Sequence, residues 1–175
     1  MEKKNETSIV TNSGDPETFY KWKLNSLILR MVYPQVLSNF YGKTKDVEKT
    51  RALVKDIGKR SALRVLDRFP IKEFDIKILI RKLTYKHWGA KSVIKGNVKD
   101  GVLRIIIDKC PICQGLEPLE IKGLHYCIPT SGFLEGAFQI LQQKYDKLSQ
   151  MKFTFDTIES KGSNDKKCVH ICKIQ

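Results

Sequence analysis

Nothing in the 175 residues approaches the roughly 20 consecutive apolar residues of a membrane-crossing helix. The opening, MEKKNETSIVTNSGDPE, also lacks the unbroken apolar stretch that a secretory signal carries before its cleavage site. Both absences point away from a membrane span or an exported chain and towards the cytoplasm. A phosphate loop of the GxxxxGKS type and a strand-linked GxGxxG are missing, so nucleotide binding has no support. Internal repeats, low-complexity tracts and a DNA-binding helix-turn-helix are missing too. Ser131 does not sit in a GxSxG elbow, and Glu135 and Glu159 stand without a second carboxylate that the sequence places at acid/base separation. No catalytic grouping is legible, and the chain reads more as a binding protein than as an enzyme.

What is present is an ordinary soluble composition, 41% hydrophobic and 29% charged with a mean hydropathy of -0.33. The length suits one compact domain with a core of its own. Lys and Arg outnumber Asp and Glu to give a net charge of +13. Clustered cations gain affinity for phosphates by releasing counterions, but here the lysines are spread over nearly every predicted helix and hairpin among acidic residues. Nucleic acid as a partner is therefore not supported.

The first sixteen residues are polar and aperiodic and read as a flexible N-terminal tail; residues 17–175 read as one domain. Asp15 and Pro16 start a helix whose apolar face runs through Phe19, Trp22, Leu24, Leu27, Ile28, Met31 and Val32. A bend is expected at Pro34 and an end at Tyr41-Gly42. Asp46 to Phe69 is a second helix with Gly58 in its middle, where glycine implies close approach by another element or a ligand. Ile76 to Trp88 is a third, closed by Gly89. Then the period changes from helical to alternating. Lys91–Val98 and Val102–Asp108 flank an Asp100-Gly101 turn, a helix follows from about Gly132 to Ser149, and Lys152–Ile158 with Lys167–Ile174 form a second hairpin. This order predicts an α+β fold, helices packed on a twisted antiparallel sheet built from two hairpins.

All five cysteines fall in the C-terminal half: Cys110 and Cys113 as a CxxC, Cys127, and Cys168 and Cys172. In a reducing compartment, such clustering favours a metal over disulfides, because thiolates suit tetrahedral zinc and a CxxC turn aims two sulfurs inward. No second CxxC completes the site, so Cys127 and Cys168 must come from separate elements. Cys172, His125 and His170 are alternative ligands, and Cys168, His170 and Cys172 share one face of a strand by period two. Two other readings compete: buried free thiols, and a redox dithiol. The dithiol requires a helix starting at the CxxC, whereas Gln114-Gly-Leu-Glu-Pro118 reads as a loop.

Three motifs recur in order: Ile107-Asp108-x-Cys110-Pro-x-Cys113; Cys127-x4-Gly132-x3-Gly136 opening a helix; and Glu159-x4-Asn164-Asp165-x2-Cys168-x-His170-x-Cys172. With them, Ile106 to Ile174 resembles the 4-vinyl reductase domain family, related in fold to the small core subunits of the TRAPP vesicle-tethering complex. Ile57-Gly58-Lys59-Arg60 is similar to that family's Gly-containing helix. The resemblance implies a frequently dimeric fold of helices on an antiparallel sheet, with zinc near the last strands. Some relatives sense aromatic compounds for transcription regulators, and the family name reflects a proposed role in bacteriochlorophyll synthesis. Cys127 and Cys168 match family zinc cysteines, and Cys110 or Cys113 takes the place of an acidic or cysteine ligand. A further family cysteine lies eight positions before the one matching Cys168, where this chain has Ser160, so both CxxC sulfurs become ligands in its stead. TRAPP-type subunits can carry a fatty acyl chain on a cysteine of the second helix; Ser61 cannot form that thioester, and acylation is not expected.

The resulting expectation is a zinc-stabilised protein that binds an apolar or aromatic small molecule, with Cys110, Cys113, Cys127 and Cys168 on the metal. Trp22, Gly58, Trp88 and Phe133 are the candidate ligand-binding residues. The alternatives are a homodimeric interaction subunit of TRAPP type and a reductase on a tetrapyrrole-like substrate.

Overall fold

The computed structural model describes residues 28–66 and 75–175. The tail over 1–16, the helix start with Trp22, and the second helix's end at Phe69-Pro70 lie outside the described residues. A π-helical turn, Ile28–Val32, runs directly into α1, Tyr33–Thr44, with Pro34 in its first turn. Proline has no N–H to give to the preceding turn, so the expected bend takes the form of a wide turn followed by a fresh helix. The helix continues past Gly42 and ends where Lys45 turns left-handed, φ 52°. Asp46 starts α2, Val47–Leu66, accepting from the Lys49 amide at 3.1 Å. Asp75 caps α3, Ile76–Trp88, by accepting from the Ile78 amide at 2.8 Å, and Gly89 closes it at φ 65°.

The sheet has four strands in the order β1-β2-β4-β3, all antiparallel: β1 Ser92–Asn97, β2 Val102–Ile107, β3 Phe153–Glu159 and β4 Cys168–Ile174. Both expected hairpins are present, with looser connections than a two-residue turn. A 3-10 turn over Val98–Asp100 precedes Gly101 at φ 70°. The other connection carries a 3-10 turn over Lys161–Ser163, with Asn164 at φ 67°. Leu103, Ile105 and Ile107 stand opposite Cys172, His170 and Cys168, and all six are buried on one face.

On that face lies α4, Ile128–Lys144, followed by the short α5, Asp146–Ser149. The sequence reading began this helix at Gly132 and ran it unbroken to Ser149. Pro129 instead joins the first turn, where its missing donor costs nothing, and extended Tyr145 separates the two helices. Helix α4 is buried on nearly all sides because it is sandwiched between the sheet and α2. Phe138 packs on Phe153 and Phe155 beneath it, ring centroids 4.5 and 5.4 Å apart. Above it, glycines make the crossing with α2 close. A Cβ on Gly58 would lie 2.2 Å from the Pro129 carbonyl oxygen, and one on Gly132 would lie 1.9 Å from that of Lys55. The expectation that Gly58 marks a close approach is met by α4.

Candidate functional site

The last residue of β2 and the loop beyond it carry the chain to Cys110, where the CxxC forms a closed turn. The amides of Cys113 and Gln114 donate to the Cys110 carbonyl at 3.2 and 3.0 Å. No helix follows the turn, as the loop reading of 114–118 anticipated. Cys127 immediately precedes α4, and Cys168 opens β4. Folding thus brings together Cys110, Cys113, Cys127 and Cys168, all buried, with their sulfurs within 4.8 Å of one another. None is in a disulfide.

The spacing suits one ion rather than a multinuclear cluster. Four thiolates about 2.3 Å from a central ion stand about 3.8 Å apart along the tetrahedral edges. Cys113 and Cys168 sulfurs are already 3.6 Å apart. Donors surround them as a thiolate site needs: the Lys161 amide donates to Cys168 Sγ at 3.4 Å, and Ser160 Oγ lies 3.3 Å from Cys113 Sγ. Ser160 therefore contributes to the site as a hydrogen-bonding neighbour of a ligand. With no ion, the thiols share protons unequally. Cys110 donation and that of the other thiols pull Cys113 below the usual thiol range, and the same contacts push Cys110 and Cys127 above it. The four sulfurs can hold a metal ion.

The three alternative ligands lie outside this group among the described residues. His125 Nδ1 is 3.0 Å from Ser163 Oγ. Cys172 faces Leu103 and Phe155 across the strands, and burial pushes its thiol up to about 12. His170, fully buried, has Nδ1 2.9 Å from Ser131 Oγ and 3.0 Å from Thr157 Oγ1, while its Nε2 has no partner among the described residues. Burial lowers its pKa to about 4, so the ring is neutral at neutral pH. With Ser131 only 1% exposed, this polar knot pins α4 to β3 and β4.

Beside the four-cysteine cluster opens a pocket of about 370 Å³ lined by Tyr33, Ile57, His87, Trp88, Pro111, Ile112 and Pro129. Its floor is an aromatic stack. His87 lies flat on Phe133, centroids 3.9 Å apart at 9°, and Trp88 meets Phe133 edge-on at 4.7 Å. Desolvation lowers the His87 pKa, which keeps that ring neutral too. Of the residues read as ligand-binding, Trp88 lines the pocket, Phe133 lies beneath it, and Gly58 sits in the helix crossing next to the lining residue Ile57. Trp22 lies outside the described residues.

Glu135, which the sequence left without a partner, is held by two lysines of α2. Lys59 Nζ is 2.5 Å and Lys55 Nζ 2.9 Å from its carboxylate, and the Phe155 amide donates to it at 3.0 Å. Lysines one helical turn apart carry no sign of a distant carboxylate, so only the α2–α4 crossing reveals the pair. Burial alone raises this carboxyl, but donation from Lys59, Lys55 and Phe155 outweighs it and the net shift is downward from 4.5. A depressed carboxylate stabilises the fold above its unfolded pKa and loses that contribution as pH falls through the folded one. Glu135→Gln is expected to lower stability in urea denaturation at pH 7 by about 2 kcal/mol. The gap to the unmutated protein should narrow as pH falls below 4.5; a gap independent of pH would refute the assignment.

Fold and site together define an α+β domain, helices on a four-stranded antiparallel sheet, with a candidate thiolate metal centre. No protein-family model matches the chain, and comparison with curated proteins finds no match. Among solved structures, it is similar to a trafficking protein particle complex subunit 3 from Naegleria fowleri covalently bound to palmitic acid. That likeness has a TM-score of 0.68 at 17% identity over 87% of this chain and 96% of the other. It is also similar to the phenol-responsive sensory domain of the transcription activator PoxR, solved with phenol, with a TM-score of 0.52 at 13% identity over 81% and 73%. At these identities the likeness is one of fold. Among the described residues, no helix is long and apolar enough to cross a membrane.

Proposed function

We propose that this protein is a zinc-stabilised binding module for an apolar or aromatic small molecule, working as a sensor or carrier in a reducing compartment such as the cytoplasm. The observation that carries this reading is the apolar pocket beside the four-cysteine centre, lined by Trp88, Ile57, Ile112 and two prolines. Zinc is the ion of choice for four thiolates in this spacing, and such a site leaves no position for water, which makes its role structural. The bound molecules of both structural neighbours, palmitic acid and phenol, support an apolar guest. Reduction would rest on the name of the 4-vinyl reductase domains alone, and among the described residues the pocket lining holds no carboxylate or thiol.

The reading is tested by calorimetric titration with phenol, 1-naphthol and palmitate, alongside native mass spectrometry for a co-purified guest and zinc. Trp88→Ala is expected to weaken the best ligand about thirtyfold, equivalent to about 2 kcal/mol. Ile158→Ala, at an exposed position in β3, should leave binding unchanged. Absence of binding by all three probes together with absence of a co-purified guest would sink the proposal.

A second reading, a homodimeric or scaffold subunit, draws on a different observation. Leu53 and Ile57 are each 48% exposed on α2, and with Phe40, Arg60 and Arg64 they line an open groove of about 390 Å³. Light scattering at micromolar concentration tests the homodimer: a monomer removes it and leaves the pocket untouched.

A further inference from the structure

The CxxC turn belongs to two sites at once. Its ends, Cys110 and Cys113, carry sulfurs into the metal centre, and the two residues between them, Pro111 and Ile112, form part of the pocket wall. In a four-residue turn closed by two hydrogen bonds to one carbonyl, an ion that fixes both sulfurs also restrains the backbone that forms the wall. The same sharing recurs at Cys127. Pro129, two positions on, also lines the pocket, and the Tyr33 hydroxyl, another part of the lining, donates at 2.7 Å to the carbonyl of Tyr126. Three of the four sulfurs thus sit within two residues of a pocket element or of its anchor.

We infer that metal and apolar ligand bind with positive coupling, the ion fixing the Cys110–Cys113 turn in the shape that the pocket needs and the ligand holding the sulfurs at metal-binding separation. The inference rests on the pocket being a ligand site. Its physical basis is preorganisation: a wall already fixed by the ion does not have to be ordered by the ligand. Linkage makes the effect reciprocal, so one factor must describe both directions. Cys168 accepts from the Lys161 amide, and no residue within two positions of it lines the pocket, so it does not share in the wall.

The test uses the full chain loaded with cobalt(II), whose visible d–d absorption reports the geometry of a tetrahedral thiolate site, and 1-naphthol as the probe. Calorimetry is expected to give about tenfold tighter naphthol binding with metal than without, and competition with a chelator the same factor in metal affinity when naphthol is present. Naphthol should also shift the cobalt bands with the midpoint seen by calorimetry. That readout needs only the loaded protein. It therefore separates local coupling from a chain that merely unfolds without its ion, since global unfolding links affinities but moves no band of the folded form. Ile112→Ala keeps all four sulfurs and is expected to retain the cobalt spectrum while losing most of the ligand-induced shift. Naphthol binding that leaves the bands and the chelator competition unmoved would overturn the coupling and leave the pocket standing. No binding of naphthol to the loaded protein would overturn the coupling through the pocket itself.

Discussion

Stripping the metal at neutral pH with a strong chelator is expected to lower the melting temperature by more than 20 °C, or to abolish the cooperative transition. The size follows from comparing two quantities. Structural zinc sites bind with apparent free energies of about 10–16 kcal/mol, while whole domains are stable by about 5–15 kcal/mol. At about 2–4 °C per kcal/mol for a chain of this size, even a fraction of the site's contribution moves the transition far. Here the ion would join the CxxC loop, the start of α4 and the start of β4, three segments far apart in sequence. Cys127→Ser should reproduce the loss and empty the site in elemental analysis. Cys172→Ala is the matched control, because Cys172 is equally buried on the same strand as Cys168 but outside the cluster. It should keep one ion per chain and cost about 1–2 kcal/mol of packing. Equal effects from the two substitutions, with no metal in the purified protein, would reduce the cysteines to packed thiols.

How much of this was legible beforehand depended on whether the signal was local. Helix α3 was readable because its apolar positions share one face and Gly89 closes it, and both hairpins because alternation and Gly-containing turns coincide. The CxxC with Cys127 was readable because thiols cluster along the chain, whereas Cys168 rather than Cys172 followed from the family resemblance. Pairings that cross the fold were not. Nothing near Glu135 in sequence announces Lys55 and Lys59, and nothing near Ser131 announces Thr157 and His170. The pocket was partly legible: Trp88 carried an aromatic signal, but Pro111 and Ile112 lie in a turn whose partners across the pocket are distant in sequence. The misplaced start of α4 has the same origin, since Cys127 to Pro129 looks like the end of a loop until Pro129 is placed in a first helical turn.

Gly132→Ala is expected to destabilise the protein by at least 3 kcal/mol, against the direction of helix propensity. In an exposed helix interior, replacing glycine by alanine gains about 1 kcal/mol. Gly132 is instead at the α2–α4 crossing, where an added Cβ would stand 1.9 Å from the Lys55 carbonyl oxygen and 2.8 Å from its carbon. These are backbone atoms of another helix, so no rotamer change relieves them. The helices must separate, and Gly58 and Gly136, whose own Cβ positions fall 2.2 and 2.8 Å from backbone oxygens across the crossing, show how little slack there is. Overpacking of this kind costs about 1–3 kcal/mol where side chains can yield, and more where they cannot. Gly42→Ala in α1 is the contrast: nothing lies within 4 Å of its added Cβ, and it should stabilise by about 0.5–1 kcal/mol. Urea denaturation of the pair decides the matter, and a Gly132→Ala protein as stable as the unmutated one would mean that the crossing is looser than described. The consequence reaches the site, because Ile57 of α2 and Pro129 of α4 both belong to the pocket wall, and Pro129 meets Gly58 at this crossing. Separating α2 from α4 should therefore weaken ligand binding even in the fraction of Gly132→Ala protein that remains folded.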